Sequence, residues 1–290
     1  MADTTTARPG PTASQRIRRY LFTSFRVVVM FAVATAIIVP LAYAAIGGLR
    51  TTGELRNRPF DLPTDWWPHN YVGVLTSEEF WTELYNSIAI AAIATFTVVT
   101  LAALAAFAFA RMRFRGREAL YTLFVLGLLF PAAVAILPLF ILLRQLTLLN
   151  SWWGVALPQA AFALPLTIII LRPFFRAIPV ELEDAARIDG CSTFGFFWRV
   201  ALPLSRPALA TVAVLAIVSS WNAFLLPLLI LRTSDQWTLP LGVMNFSTQY
   251  TSDTALVLAF TTLSMLPALA FYVLAERQIV GGLTAGAVKG

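Results

Sequence analysis

Six stretches of this chain contain no charged residue, and each is at least about 20 residues long. A helix rises about 1.5 Å per residue, so each stretch can cross a hydrocarbon core roughly 30 Å thick. Backbone groups in a bilayer must be hydrogen-bonded internally, which favours helices. We therefore predict an all-α integral membrane protein of six transmembrane helices. The predicted spans cover residues 27–49, 84–110, 119–143, 152–171, 207–231 and 254–275.

The composition agrees with a membrane protein. Hydrophobic residues make up 58% of the chain and charged residues 12%, which excludes a soluble globular domain. The net charge of +6 comes from arginines at the ends of apolar stretches, and this favours a topological role over nucleic-acid binding. Cys191 is the single cysteine and His69 the single histidine, so neither an internal disulfide nor a histidine metal cluster is expected.

The positions of the basic residues predict the orientation. The N-terminal tail, the loop at residues 111–118, the segment between the fourth and fifth spans and the C-terminal tail hold 16 of the 21 Lys and Arg. Because basic residues accumulate on the cytoplasmic side, both termini and that segment are predicted to be cytoplasmic. We divide the chain into a basic tail at 1–26, a transmembrane region at 27–275 and a second tail at 276–290.

The segment at residues 176–206 differs from the rest of the chain, because it gathers charged side chains between two apolar stretches. Pro179 suits the first turn of a helix, and the acidic residues after it lie near the positive end of the helix dipole. Glycine tolerates the left-handed conformation that ends helices, so the helix is predicted to stop at Asp189-Gly190. Ser192 or Thr193 can then cap a second short helix.

The second short helix carries an aromatic stripe. Phe194, Phe197, Trp198 and Ala201 recur at one-face spacing, and Leu202-Pro203 is predicted to end the helix. An amphipathic segment lying on the membrane surface would also have aromatic and charged faces. A surface helix has no need of a glycine bend followed by Leu-Pro at a fixed distance, and this favours docking to a partner.

The segment resembles the cytoplasmic loop of the permease subunits of binding-protein-dependent ABC importers. That loop carries Glu-Ala-Ala, three residues, Gly, nine residues and then Ile-x-Leu-Pro. Here the match is Asp184-Ala185-Ala186, Gly190 and then Val200 to Pro203, at the same spacing. Asp184 replaces Glu and Val200 replaces Ile, both conservatively.

The resemblance implies partners and a docking site. The partners would be a cytoplasmic ABC ATPase dimer that holds ATP and Mg, a second permease subunit and an extracytoplasmic solute-binding protein, in the cell membrane of a prokaryote. This chain itself would bind no cofactor or metal and would catalyse no reaction. The implied ATPase-docking residues are Glu183, Asp184, Ala185, Ala186, Asp189, Gly190, Phe194, Phe197, Trp198, Leu202 and Pro203.

The resemblance covers roughly residues 19–290 and is strongest to the carbohydrate branch, specifically the maltose-type second permease subunit. Related permeases often have Trp-Asn-Asp-Phe where this chain has Trp221 to Phe224, so the acid is missing. In that family the C-terminal tail reaches into the ATPase dimer. This implies contact roles for Thr284, Gly286 and Lys289.

Polar residues within the spans are candidates for a sugar path: Asn86, Gln159, Ser220 and Asn222. Hydrogen bonding between helices is the alternative for each of them. The chain has no phosphate-binding Gly-x-x-x-x-Gly-Lys-Ser/Thr loop, so hydrolysis must come from a partner. The spans lack charged residues, which counts against an ion-coupled secondary transporter. That transporter and a non-transporting assembly protein remain the alternative functions.

Overall fold

The computed structural model describes residues 13–64, 66, 68–246 and 253–287, with side chains for 21–64, 66, 68–246 and 253–273. Regular structure in these residues is entirely helical, as predicted. The helices are α1 Ala13–Gly47, α2 Thr52–Asn57, α3 His69–Thr76, α4 Glu78–Arg111, α5 Arg117–Gly127, α6 Ala132–Gln145, α7 Trp152–Arg176, α8 Val180–Ile188, α9 Thr193–Phe196, α10 Leu202–Leu204, α11 Arg206–Trp221, α12 Leu225–Ile230, α13 Leu239–Gly242 and α14 Thr254–Ala287. A π-turn, Phe197–Ala201, joins α9 to α10, and short 3-10 turns cover Ser234–Gln236 and Val243–Phe246.

Four helices are long and apolar enough to cross a membrane within the described part of the chain: α1, α4, α7 and α14. They correspond to the first, second, fourth and sixth predicted spans. The number rises to six if two bent pairs each count as one span. These pairs are α5 with α6, bent by 98°, and Thr193–Leu204 with α11, bent by 77°.

The third predicted span, 119–143, is not one continuous helix. It is interrupted at residues 128–131, where Phe130 donates its N–H to the Gly127 carbonyl in a turn. Proline disfavours a helical conformation at the residue before it and crowds the carbonyl four residues back. Pro131 therefore ends one helix and precedes the next.

The fifth predicted span, 207–231, is likewise interrupted. Helix α11 ends at Trp221, and α12 begins at Leu225 with Pro227 in its first turn, where the missing N–H costs nothing. In the sixth span α14 continues past residue 275 to Ala287, so most of the segment predicted as a tail is helical. At the other end, α1 begins at Ala13, inside the predicted basic tail.

Helices α4 and α7 form the centre of the bundle. Ala102 and Ala106 of α4 and Ile168 and Leu171 of α7 are all fully buried in one cluster. Small residues allow helix backbones to approach closely in a membrane protein. Helix α11 packs onto both central helices and contributes Ala208 and Val212 to the same cluster. The side chains of α1 are exposed over most of its length.

An aromatic cluster closes the arginine-rich end of this core. Phe107 of α4 lies 5.8 Å from Phe175 of α7 and 5.0 Å from Phe197, measured between ring centroids. Phe196 and Phe197 are each 2% exposed. The segment between α7 and α11 is thus anchored in the bundle through its own rings.

Candidate docking segment and polar path

The first helix of the segment begins and ends as its sequence predicts. Pro179 precedes α8, and Gly190 follows it with φ +75°, in the left-handed region that favours glycine. Cys191 donates its N–H to the Ala186 carbonyl at 2.8 Å, and Gly190 donates to the Arg187 carbonyl at 3.0 Å. Carbonyl groups in the last turn of α8 thus accept hydrogen bonds from the backbone that follows, and the chain turns sharply at Gly190.

The second helix begins at the predicted cap but ends later than predicted. Ser192, and not Thr193, is the cap: its Oγ accepts from the Gly195 N–H at 3.1 Å. The helical path continues through Leu202 and Pro203 and ends at Ser205. Leu202 donates to the Phe197 carbonyl five residues back. This wider turn makes room for the Pro203 ring, which would crowd the carbonyl four residues back in an ordinary helix.

The aromatic stripe divides between the core and the surface. Phe194 is 63% exposed and Trp198 is 49% exposed, and their ring centroids lie 5.9 Å apart. Phe197 lies beneath them, 5.3 Å from Trp198, and is buried against α4 and α7. That Phe197 contacts a partner stays a prediction; in this structure its ring lies inside the core.

Glu183 is also bonded to residues of its own chain. Its Oε2 accepts from Arg111 Nε at 2.9 Å, and its Oε1 accepts from Arg187 Nη2 at 2.6 Å. Arg111 Nη1 donates to the Ile178 carbonyl at 2.9 Å, so one guanidinium at the end of α4 binds both the link before α8 and Glu183 in the first turn of α8. That Glu183 meets donors on a partner stays a prediction; in this structure two arginines of the same chain occupy its carboxylate, whereas Asp184 and Asp189 are exposed.

The remaining predicted docking residues lie at the surface or just beneath it. Ala185, Asp189 and Gly190 are exposed, Ala186 and Leu202 are half-buried against the aromatic core, and Pro203 is half-buried. Thr284 and Gly286 fall within α14, but their side chains are outside the described residues. Lys289 is outside the described residues altogether.

Asn86 has a structural role. It is 2% exposed, and its Nδ2 donates to the carbonyls of Asp235 and Trp237, each at 2.9 Å. Its Oδ1 accepts from Trp152 Nε1 at 3.0 Å. All its polar atoms are engaged in tying α4 to α7 and to the 234–237 turn, which supports the alternative of hydrogen bonding between elements.

Gln159 and Ser220 come together between α7 and α11. Ser220 Oγ donates to Gln159 Oε1 at 2.6 Å, and Gln159 Nε2 is buried without a hydrogen-bond partner among the described residues. Asn222 is exposed and donates to the Val218 carbonyl at 2.8 Å. Together with Trp221 it lines two apolar cavities, of about 320 and 360 Å³. Gln159 of α7 and Ser220 and Asn222 near the end of α11 thus lie close to these apolar cavities or between the two helices.

Arg111, which anchors α8 to α4, is the residue that sequence reasoning missed. It was assigned only to the basic loop that sets orientation. Nothing in the local pattern marks it as the partner of a carboxylate 72 positions away. An arginine in the last turn of a long apolar helix is a weak signal, because many such arginines only face the interface.

These features define a class of protein: a multi-span helical membrane protein with a partly exposed two-helix segment anchored beside its core. The chain belongs to the family described as the binding-protein-dependent transport system inner membrane component, which matches residues 99–279.

Relatives with assigned roles span nearly the same length. A diacetylchitobiose uptake system permease protein of Streptomyces coelicolor is 33% identical over 96% of this chain and 92% of its own length. A trehalose transport system permease protein of Mycobacterium tuberculosis is 40% identical over 76% of this chain and 81% of its own. Among solved structures, a chain of a bacterial ABC transporter that imports the acidic polysaccharide alginate matches with a TM-score of 0.80. It is 25% identical, over 93% of this chain and 99% of that one.

Proposed function

We propose that this chain forms, with a second permease subunit, the path by which a carbohydrate enters a prokaryotic cell, and that a partner ATPase drives the cycle. The names of the relatives support a carbohydrate, since diacetylchitobiose and trehalose are both glycans. The solute would arrive on an extracytoplasmic binding protein. This chain would hold no nucleotide, with ATP and Mg on the ATPase.

We propose that the arginine-rich end is cytoplasmic. It carries Arg111, Arg113, Arg115 and Arg117 between α4 and α5, together with the arginines at 172–206. The opposite end, at residues 50–83, 144–151 and 232–253, holds five arginines. This asymmetry supports a cytoplasmic position for both termini and for the segment at residues 176–206, the docking segment, on the side where an ATPase would be found.

One observation carries the docking role: large apolar side chains are exposed on a segment that is otherwise firmly anchored. Ile188 is 86% exposed, Phe194 63% and Trp198 49%. Next to them lies the exposed Asp184, with Phe196 and Phe197 buried beneath. Buried aromatic anchors are each worth about 2 kcal/mol or more at an interface. Phe194 and Trp198 are therefore the proposed anchors, and Asp184 the proposed polar contact.

The same anchoring supports a route for coupling. Arg111 ties α8 to the end of α4, and the second short helix leads into α11 at Ser205. A displacement of the docked segment would therefore move α4 and α11 together. The polar residues Gln159, Ser220 and Asn222 lie on α7 and at the end of α11, where such a movement would open or close a path.

The test is a pull-down of the tagged chain from gently solubilised native membranes, with mass spectrometry of what accompanies it. The variant Phe194→Ala with Trp198→Ala should lose the ATPase while the second permease stays bound. The matched control is Phe96→Ala with Trp153→Ala, which removes a 74% and a 52% exposed ring elsewhere and should keep the ATPase. ATPase recovery from the first variant at the wild-type ratio would sink the docking proposal.

A further inference from the structure

A large open cavity lies beside the docking segment, at the arginine-rich ends of α4, α5 and α7 and against α8. Its volume is about 820 Å³. Six guanidinium groups line it: Arg111, Arg113, Arg117, Arg172, Arg176 and Arg187. The two acids in its wall are Glu183 and Asp184.

The acids do not neutralise this wall. Glu183 is shared between Arg111 and Arg187, and Glu118, at the edge, is shared between Arg117 and Arg172. Each carboxylate thus serves two guanidinium groups, and a positive excess is left over even after Asp184 is counted.

Two of the arginines are available to a ligand. Arg113 and Arg176 are exposed, and neither makes an ion pair or side-chain hydrogen bond within the described residues. Arg172 is held in place from both sides: it bonds both oxygens of Glu118, at 2.6 and 2.8 Å, and its guanidinium lies 3.9 Å from the centre of the Tyr121 ring. The cavity therefore combines a fixed positive wall with two free guanidinium groups, an arrangement suited to a phosphate group.

The surroundings indicate which phosphate-bearing molecule fits. Met112 and Phe114, in the link between α4 and α5, are 44% and 41% exposed. On α5, Leu120 and Leu123 are 46% and 63% exposed and lie three residues apart, on one face. An apolar wall thus continues from the charged cavity along a helix of the membrane region. A soluble anion would make no contact with this apolar surface, whereas the acyl chains of a lipid would cover it.

We propose that this cavity binds the phosphate headgroup of an anionic phospholipid, with the acyl chains along the exposed face of α5. Arg113 and Arg176 are the primary contacts. Because Arg187 and Asp184 belong to α8, a bound headgroup would also brace the docking segment against α4 and α7. The inference does not depend on the transported solute or on the ATPase, since it requires only that this end of the bundle lies at a membrane surface.

The test is native mass spectrometry of the complex that contains this chain, purified in detergent. Palmitoyl-oleoyl-phosphatidylglycerol and palmitoyl-oleoyl-phosphatidylcholine are offered in equal amounts. The unaltered complex should retain the anionic lipid several-fold over the zwitterionic one. Arg113→Gln with Arg176→Gln should bring that preference close to one, since each arginine near an anionic surface contributes a factor of about five.

Two control variants make the result decisive. Arg56→Gln with Arg58→Gln, two exposed arginines at the opposite end, removes the same charge and should leave the preference unchanged. Arg113→Lys with Arg176→Lys keeps the charge and should retain most of it. Equal retention of the two lipids by the unaltered complex would overturn the proposal. Displacement of the lipid by excess inorganic phosphate would also overturn the proposal, because it would indicate a site for a free anion. Loss of the ATPase from the Gln pair with lipid retention unchanged would assign the cavity to a protein instead.

Discussion

Arg111 and Glu183, 72 positions apart in the chain, form a nearly buried ion pair in which Nη2 and Nε lie 2.6 and 2.9 Å from the same carboxylate oxygen. Their side chains are 10% and 11% exposed. The pair joins the last turn of a central membrane helix to the first turn of the docking segment. Water screens the two charges only weakly there, so each charge compensates the other for the hydration that it loses on burial.

Removing one partner of this pair should be costly. Arg111→Met leaves Glu183 buried with a single exposed partner, and we expect a loss of about 3–5 kcal/mol in the free energy of unfolding. Arg187→Met removes a 63% exposed partner of the same carboxylate and should cost less than about 1 kcal/mol. Reversible unfolding in mixed micelles measures both. Equal losses in the two variants would show that the buried contact has no special weight.

The Arg111–Glu183 pair should also be needed to couple ATP hydrolysis to uptake. Exchanging the charges, Arg111→Glu with Glu183→Arg, should recover part of the ATP-driven uptake that either single change removes. The measurement is uptake into vesicles that contain the whole importer. If the double variant is no better than the worse single one, the two residues act separately.

The turn at Gly190 should tolerate no ordinary side chain without cost. A Cβ there would meet no atom within 4 Å, so the cost of Gly190→Ala is conformational, about 1–2 kcal/mol for φ +75°. We expect weaker ATPase co-purification, with Gly190→Asn milder because Asn adopts this conformation more readily. Gly53→Ala is the matched control, since that site is equally open and its φ is not positive. Identical behaviour of the two alanine variants would contradict a conformational role for Gly190.

Asn86 and Asn222 should separate structural from transport roles. Asn86→Leu breaks three hydrogen bonds and leaves their partners unsatisfied, so we expect a loss of stability of about 3 kcal/mol. Asn222→Leu removes one bond from an exposed amide, so the fold should persist while the concentration dependence of uptake changes. Thermal unfolding and uptake kinetics on both variants test this. A stable Asn86→Leu protein with altered uptake would reverse the assignment.

The segment at residues 54–64, which follows α1, should lose hydrogen bonds at low pH. The N–H and hydroxyl of Thr64 donate to Glu54 Oε1 at 2.9 and 2.8 Å, and these bonds hold the pKa of Glu54 below its ordinary value of 4.5. Because the folded-state pKa is lowered, the stabilisation is complete above pH 4.5 and is lost as pH falls through the folded value. The protection factor of the Thr64 amide, which is its intrinsic exchange rate at each pH divided by the observed rate, should fall over that range, and in Glu54→Gln it should not change with pH. An unchanged acid response in Glu54→Gln would place the titrating group elsewhere.

Several local features could be predicted from the sequence. Hydropathy located the long helices because an uninterrupted apolar stretch has few other stable environments. The glycine stop at 190 and a cap at Ser192 or Thr193 followed from local backbone chemistry, which depends on neighbouring residues only, and the structure shows that Ser192 is the cap. The breaks within the predicted spans were harder to predict from the sequence. Pro158 and Pro165 lie inside α7, whereas Pro131 and Pro227 coincide with interruptions, although all four were visible in the sequence.

The sequence by itself thus determined a multi-span helical membrane protein with a bent two-helix segment, because hydrophobic length, proline, glycine and capping residues act locally. Only the tertiary structure decided that Phe197 lies inward while Phe194 and Trp198 lie outward. It also decided that Glu183 is held by Arg111 and that Asn86 is fully bonded. The reason is physical: helical spacing states which residues share a face. What each face meets depends on side chains brought from distant helices, since burial and ion pairing are set by three-dimensional neighbours.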